Sequence, residues 1–179
     1  MGEIVYVDGR DRPVGVASKL AAHAAPGRLH RAFSVQLADA GGRLLLQRRA
    51  DAKYHFRGLW ANSCCGHPGP GDVTSEAAAR RTFEELGVRP RDLVACGSFV
   101  YEARDAASGL VEHEFDHVYV GRLDAEPRPD PAEVSAVRLV APDELAAELT
   151  AAPETFVPWL SQVLGLVLPR MRGGSAAAG

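Results

Sequence analysis

The feature that most constrains the fold is one clean helical stretch, VTSEAAARRTFEELGV at 73–88, set between two blocks of strand-like runs. Thr74 or Ser75 offers a capping oxygen, Glu76 suits the first turn, and Gly87 closes the helix. Ala79, Phe83 and Leu86 repeat at helical spacing and are predicted to face the core. Upstream, EIVYVD (3–8) reads as a strand followed by turn chemistry in DGRDRPVG. SKLAAHAA (18–25) reads as a short helix capped by Ser18 and stopped by Pro26 and Gly27. AFSVQLAD (32–39) and RLLLQRR (43–49) form a predicted hairpin across Ala40, Gly41 and Gly42.

Downstream, LVACGSFVYEA and LVEHEFDHVYVGRL are strand-like and turn at Ser108-Gly109, and AVRLVA is a last strand after the loop DAEPRPDPAE. PDELAAEL and PETFVPWLSQVLGLVL read as helices, each opened by a proline. Strands dominate the middle, with one helix between them and helices at the end. The expected class is therefore α+β, an α/β/α layered domain with a mixed sheet flanked by helices. One domain is expected over residues 1–172, with GGSAAAG (173–179) as a disordered tail.

Function classes narrow on charge and hydropathy. A formal charge of −3 argues against nucleic acid as a partner. The longest apolar run, FVPWLSQVLGLVLP, is broken by Pro158 and Gly165 and is too short to span a bilayer, so no membrane partner is expected. The start MGEIVYVDGRDRP lacks the pattern of a signal peptide, which points to the cytoplasm. There Cys64, Cys65 and Cys96 are expected as free thiols. Cys96, on a predicted strand, reads as a small buried hydrophobe. The expected assembly is a monomer or weak homodimer.

Five residues have the chemistry of metal ligands: His23, His30, His67, Glu112 and Glu114. Glu112 and Glu114 lie two apart on a predicted strand, so both point to one face while His113 points to the other. Imidazoles with carboxylates suit a divalent ion such as Zn²⁺ or Mn²⁺. Taken singly, each has a plainer reading: a hydrogen-bonded or surface histidine, or a solvent-facing E-x-E strand. In WANSCCGHP (60–68) two cysteines sit beside an imidazole. Successive residues of an extended segment face opposite sides, so only one thiol can face a pocket. His55 and His117 have no evident role, and His117 is expected to point away from the candidate ligands.

The predicted helix carries Glu84 and Glu85, otherwise a solvated acidic pair. With Gly66, Asp72, Arg80, Arg81, Thr82, Gly87 and Val88 it resembles the Nudix box, G-x5-E-x7-R-E-U-x-E-E-x-G-U with U aliphatic. Asp72 and Arg81 stand where that box has glutamates, and Thr82 where it has an aliphatic residue; the losses argue against diphosphate hydrolysis. Several further motifs agree in order and spacing: AAHAAPGRLHRAFS, QRRADAKYHFRGLWANSCCGHP, RRTFEELGV, VEHEFDHV and FVPWL. From about Val5 to Leu164 the chain is similar to the type 1 isopentenyl-diphosphate isomerases, Nudix-fold enzymes that do not hydrolyse their substrate.

That resemblance implies a Nudix-like sheet and interconversion of isopentenyl and dimethylallyl diphosphate without flavin or nicotinamide. It implies Cys65 and Glu114 as opposed acid–base groups, one protonating C4 and the other taking a proton from C2 through a tertiary carbocation. Trp159 would face the cation and Tyr101 would assist protonation. Lys19, Arg49, Lys53 and Gly66 would hold the diphosphate, with Arg81 as a fourth cation. A divalent metal (Mn²⁺, Zn²⁺ or Mg²⁺) would occupy the His/Glu group. A Mg²⁺ carried by the diphosphate would rest on Glu85 and the Cys65 carbonyl. The alternatives are a Nudix diphosphohydrolase and a non-catalytic metal- or metabolite-binding module.

Overall fold

A central strand, β3 (His30–Ala38), organises the computed structural model, which describes residues 2–175. Around it lie β1 (Glu3–Val7), β2 (Pro13–Ser18), β4 (Leu44–Arg49) and the short β5 (Trp60–Ala61) and β6 (Cys64–Gly66). The remaining strands are β7 (Arg91–Arg104), β8 (Val111–Arg122) and β9 (Val134–Val140). The helices are α1 (Lys19–His23), α2 (Thr74–Leu86), α3 (Pro142–Ala151) and α4 (Leu160–Ser175). The sheet is mixed: β3 runs parallel to β8 and antiparallel to β1, β4 and β6. The α+β class expected from the element pattern is the class observed.

Side-chain alternation divides the sheet into two working faces. Phe33, Val35 and Leu37 of β3 point one way and pack with Ala77, Ala78 and Leu86 of α2. Burying Leu86 alone contributes about 2 kcal/mol. The residues between them, with Glu112, Glu114 and Asp116 of β8, point the other way. On that side Leu160, Val163 and Val167 of α4 join Tyr101, Val118 and Trp159 in a second apolar cluster.

Several local expectations are corrected. Neither Thr74 nor Ser75 caps α2: both lie within its first turn, and the cap position falls on Val73, whose side chain has no oxygen to offer. Phe83 is exposed beneath the Arg89 guanidinium, and the buried stripe of α2 is Ala77, Ala78, Thr82, Glu85 and Leu86. The segment from Pro13 forms β2 rather than a turn; an edge strand tolerates proline. The segment opened by Pro153 is not one helix. A 3₁₀ turn (Pro153–Thr155) gives way to extended Phe156 before α4 starts at Leu160, because the residue before Pro158 disfavours helix. Cys96 is half-buried rather than enclosed. Gly87 ends α2 at φ +68°, and a Cβ there would lie 2.8 Å from the Arg128 carbonyl oxygen. The tail expected at 173–179 overlaps the end of α4, and residues 176–179 lie outside the described residues. Among the described residues no helix is long and apolar enough to cross a membrane.

Candidate active site

Between β3, β6, β8 and the segment before α4 lies a cavity of about 550 Å³. Lys19, Arg49, Lys53, Cys65, Gly66, His67, Arg81, Glu85, Tyr101, Glu112, Glu114 and Trp159 all border it. Of the metal-ligand candidates, His23 and His30 are set back from its wall, where they meet Glu112 and Glu114.

The ligand atoms of His23, His30, His67, Glu112 and Glu114 lie within 4.8 Å of one another. Strand register produces this: His30 pairs directly with Glu114 across the parallel β3–β8 ladder. The backbone fixes the tautomers. His23 Nδ1–H donates to the Lys19 carbonyl (2.6 Å), and His30 Nδ1–H donates to the Arg28 carbonyl (2.7 Å). Their Nε2 lone pairs are thus left facing inward. His30 Nε2 stands 3.2 Å from His67 Nε2, and His23 Nε2 stands 2.9 Å from Glu112 Oε2. Lone pairs held this close to each other and to carboxylate oxygens call for a cation or proton between them, so the donor set fits a divalent metal. Burial works against charge on His67 and holds it well below its ordinary value. Burial opposes the charged form of Glu112 too, but a proton taken up on His23 Nε2 when no metal holds that lone pair, and the bond from His55, hold its carboxyl well below the usual range.

Cys65 and Cys64 occupy opposite sides of β6. Cys64 is fully buried against α2, whereas Cys65 borders the cavity. Burial, then the nearby Asp116 charge, pushes the Cys65 thiol up to about 12, so it is a neutral S–H at ordinary pH. That thiol donates to Asn62 Oδ1 (3.1 Å), and the same oxygen accepts the Trp159 indole N–H (3.2 Å). The Asn62 amide donates to the Val35 and Cys64 carbonyls, which fixes its orientation. One buried amide therefore positions both the sulfhydryl and the indole. Tyr101 O–H donates to Glu114 Oε2 (2.6 Å), and its ring lies 5.6 Å from that of Trp159. Phe56 packs edge-on against Trp159 at 5.4 Å.

Cations line the same cavity. Arg49 is buried, its guanidinium donating to the Phe56 and His55 carbonyls, both at 3.0 Å. Its neighbour Arg48 faces outward and is exposed. Lys19 lies over the Tyr54 ring, and burial, then the Lys53 charge, lowers its ammonium from the usual value. Arg81 bonds Glu84 (2.6 Å) and Glu85 (2.8 Å). Gly66 has no room for a side chain, since a Cβ would lie 2.8 Å from the Phe33 ring.

The box carboxylates do not converge. Asp72 is tied to Arg80 away from the cavity, Glu84 is exposed, and only Glu85 lines the wall. Several site residues escaped sequence reasoning. His55 is buried and bonded to Glu112, its Nδ1 unpartnered. Asp116 is buried, and its carboxyl accepts from Ser34 (2.7 Å), whose hydroxyl lies 3.8 Å from the Cys65 sulfur. Burial, then the Glu114 charge, raises Asp116 well above the ordinary carboxyl range. The alternation Glu112, Glu114, Asp116 was a usable signal for that residue; Asn62, His55 and Ser34 had none. His117 points to the opposite face and meets Asp11 at 2.9 Å.

A mixed sheet with a helix carrying Glu85 against this cavity defines a NUDIX domain, and the NUDIX domain family model matches residues 28–160. The fold alone is shared with a crystal structure from Deinococcus radiodurans (TM-score 0.74, 24% identity, 92% of this chain and 99% of that one). It is also shared with a MutT NUDIX hydrolase from Burkholderia pseudomallei (TM-score 0.61, 24% identity, 78% and 98%). Sequence relatives are nearer. The isopentenyl-diphosphate Delta-isomerase of Nocardia farcinica is 54% identical over 161 residues, covering 90% of this chain and 91% of the relative. That of Streptomyces coelicolor is 52% identical over 166 residues, covering 93% and 83%. The chain belongs to the isopentenyl-diphosphate Delta-isomerase family of NUDIX-fold enzymes.

Proposed function

We propose that the chain interconverts isopentenyl and dimethylallyl diphosphate, with Cys65 and Glu114 as the opposed acid–base pair. The observation that carries the assignment is one cavity lined by a sulfhydryl, a tyrosine-bonded carboxyl and an indole together with four cationic side chains. The diphosphate lies on Lys19, Arg49, Lys53 and Arg81, whose charges match its own. This leaves the five-carbon group against Cys65, Glu114, Tyr101 and Trp159.

One of the pair gives a proton to C4, the alkene becomes a tertiary cation at C3, and the other removes a proton from C2. The roles exchange in the reverse direction, so no redox partner is consumed. The burial that keeps the Cys65 sulfur protonated also excludes water that would trap a cation. Tyr101 steadies Glu114 through its hydroxyl. Trp159 offers its π face, an attraction of roughly 2 kcal/mol when desolvated. Asn62 holds the thiol and the indole in register with each other.

His23, His30, His67, Glu112 and Glu114 would hold a divalent metal, and its nitrogen-rich donor set favours Mn²⁺ or Zn²⁺ over Mg²⁺. When bound, that ion supplies positive charge beside Glu114 and so tunes its acidity. Glu85 and the Cys65 carbonyl are the proposed rests for Mg²⁺ arriving with the diphosphate. We place the enzyme in the cytoplasm as a monomer or weak homodimer, on its free thiols, with residues 1–172 as its single domain.

The test is incubation of purified protein with isopentenyl diphosphate in D₂O. Dimethylallyl diphosphate carrying deuterium, with no phosphate released, is the expected outcome. Cys65→Ala and Glu114→Gln should each cut turnover by about 10⁴-fold with the melting curve retained. Full turnover in either variant would remove that residue from its role.

A further inference from the structure

Two of the four cations that the isomerase reading assigns to the diphosphate, Lys53 and Arg81, are engaged by carboxylates. Lys53 Nζ and Arg81 Nη2 are both engaged by one carboxylate, Glu133, whose Oε2 meets Lys53 and whose Oε1 lies 3.2 Å from Arg81. Glu85 completes the ring, 2.8 Å from Arg81 and 3.7 Å from Lys53. With the exposed Glu84 also on Arg81 (2.6 Å), the charges of Lys53 and Arg81 are fully matched by carboxylates. A carboxylate that spans two cations with its two oxygens takes the form a phosphate group would take there.

The two carboxylates are not equivalent. The Glu85 side chain is 1% exposed, on the buried stripe of α2, whereas that of Glu133 is 29% exposed. Glu133 ends the loop 124–133 just before β9, and it borders the cavity. Its backbone is fixed: its N–H donates to the Asp130 carbonyl (3.0 Å), and its carbonyl accepts from Ala50 N–H (3.0 Å). The side chain is therefore aimed at the seat by a settled backbone, while its exposed position gives it somewhere to swing.

We propose that Glu133 is a resident anion in the diphosphate seat. It holds Lys53 and Arg81 in place with their charges neutralised, and the incoming diphosphate must displace it. It returns as the diphosphate leaves, so it sets substrate affinity and helps release. This rests on the seat proposed above. Partly exposed ion pairs are individually weak, so displacement opposes binding by about tenfold rather than blocking it.

The experiment is calorimetric titration of the metal-loaded full chain with inorganic diphosphate at fixed ionic strength, with and without Mg²⁺. Glu133→Gln is expected to bind about tenfold more tightly than the unaltered chain and to show a lower KM. Glu126→Gln makes the same charge change on an exposed residue of the same loop and should shift affinity less than twofold. Unchanged or weaker binding by Glu133→Gln overturns the inference; weaker binding with Mg²⁺ is what a metal-ligating role would give. Lys53→Met tests the seat separately, because it must weaken diphosphate binding whether or not Glu133 competes. If it binds normally, the seat is wrong; if it binds weakly while Glu133→Gln is unchanged, only the resident anion is wrong. Should Glu133→Gln fail to fold by its melting curve, Glu133→Asp reports in its place. Its carboxylate is one methylene shorter, so tighter binding is again expected, and no change again overturns the proposal.

Discussion

The two ends of the cavity are built on opposite plans. The His/Glu end is enclosed, with His23 and His30 fully buried and Glu112 and Glu114 nearly so. Its geometry comes from strand register and from backbone carbonyls that commit the His23 and His30 imidazoles. The cationic end draws on α1, α2, β4 and two loops; Arg49 is buried on backbone carbonyls, but Lys53 and Arg81 pair with Glu133 through partly exposed side chains. The difference tracks what each end must do. A group meant to keep one ion is served by dry walls and fixed tautomers, because every departure exposes unpaired lone pairs. A group meant to take and release an anion on each turnover is served by contacts that solvent can replace.

Removing a ligand from the dry end should give the largest effect. His30→Ala is expected to leave the chain unable to retain Mn²⁺ or Zn²⁺, checked by metal analysis after dialysis. The unaltered chain should gain about 2.7 kcal/mol of stability at a metal concentration a hundred times Kd, and His30→Ala none. An equal gain in both would mean the five side chains do not share an ion, and the contrast between the ends would fail.

A smaller effect is expected one step out from the ion. His55 hydrogen-bonds Glu112 and packs edge-on against His23 at 5.2 Å, so His55→Phe should weaken metal affinity by about 10–100-fold while one ion still binds. A complete loss would move His55 into the ligand set and enlarge the dry end.

The smallest effect belongs to the hydrocarbon region between the ends. Trp159→Phe keeps an aromatic face but drops the indole bond to Asn62, and should lower kcat by about tenfold with KM little changed. A rise in KM at constant kcat would show that the indole serves binding rather than the cation.

Much of the site was legible because short-range geometry is periodic. Glu112 and Glu114 two apart on a strand had to share a face, and Cys64 and Cys65 had to part. Ser18 before a helical run did accept the Ala21 N–H (3.3 Å). Where local signals misled, a tertiary contact had overridden them. Ala79, Phe83 and Leu86 fit helical spacing, yet the stripe that packs is set by where the sheet lies, one position round from Phe83. Pro13 and Gly15 read as turn residues, yet β1 offered an edge on which they could extend. The break at Phe156 is stabilised by the Val157 N–H donating to the Trp60 carbonyl (2.9 Å), a contact across nearly a hundred residues of chain.

By itself the sequence determined most element types, the shared face of Glu112 and Glu114, and the parting of Cys64 from Cys65. Those follow from spacing along the backbone, which covalent geometry dictates. The tertiary structure alone decided that Asn62 joins Cys65 to Trp159, that His55 backs Glu112, and that Glu133 pairs with both Lys53 and Arg81. Each of those pairings spans a distance set by packing rather than by chain periodicity, so no local pattern encodes it.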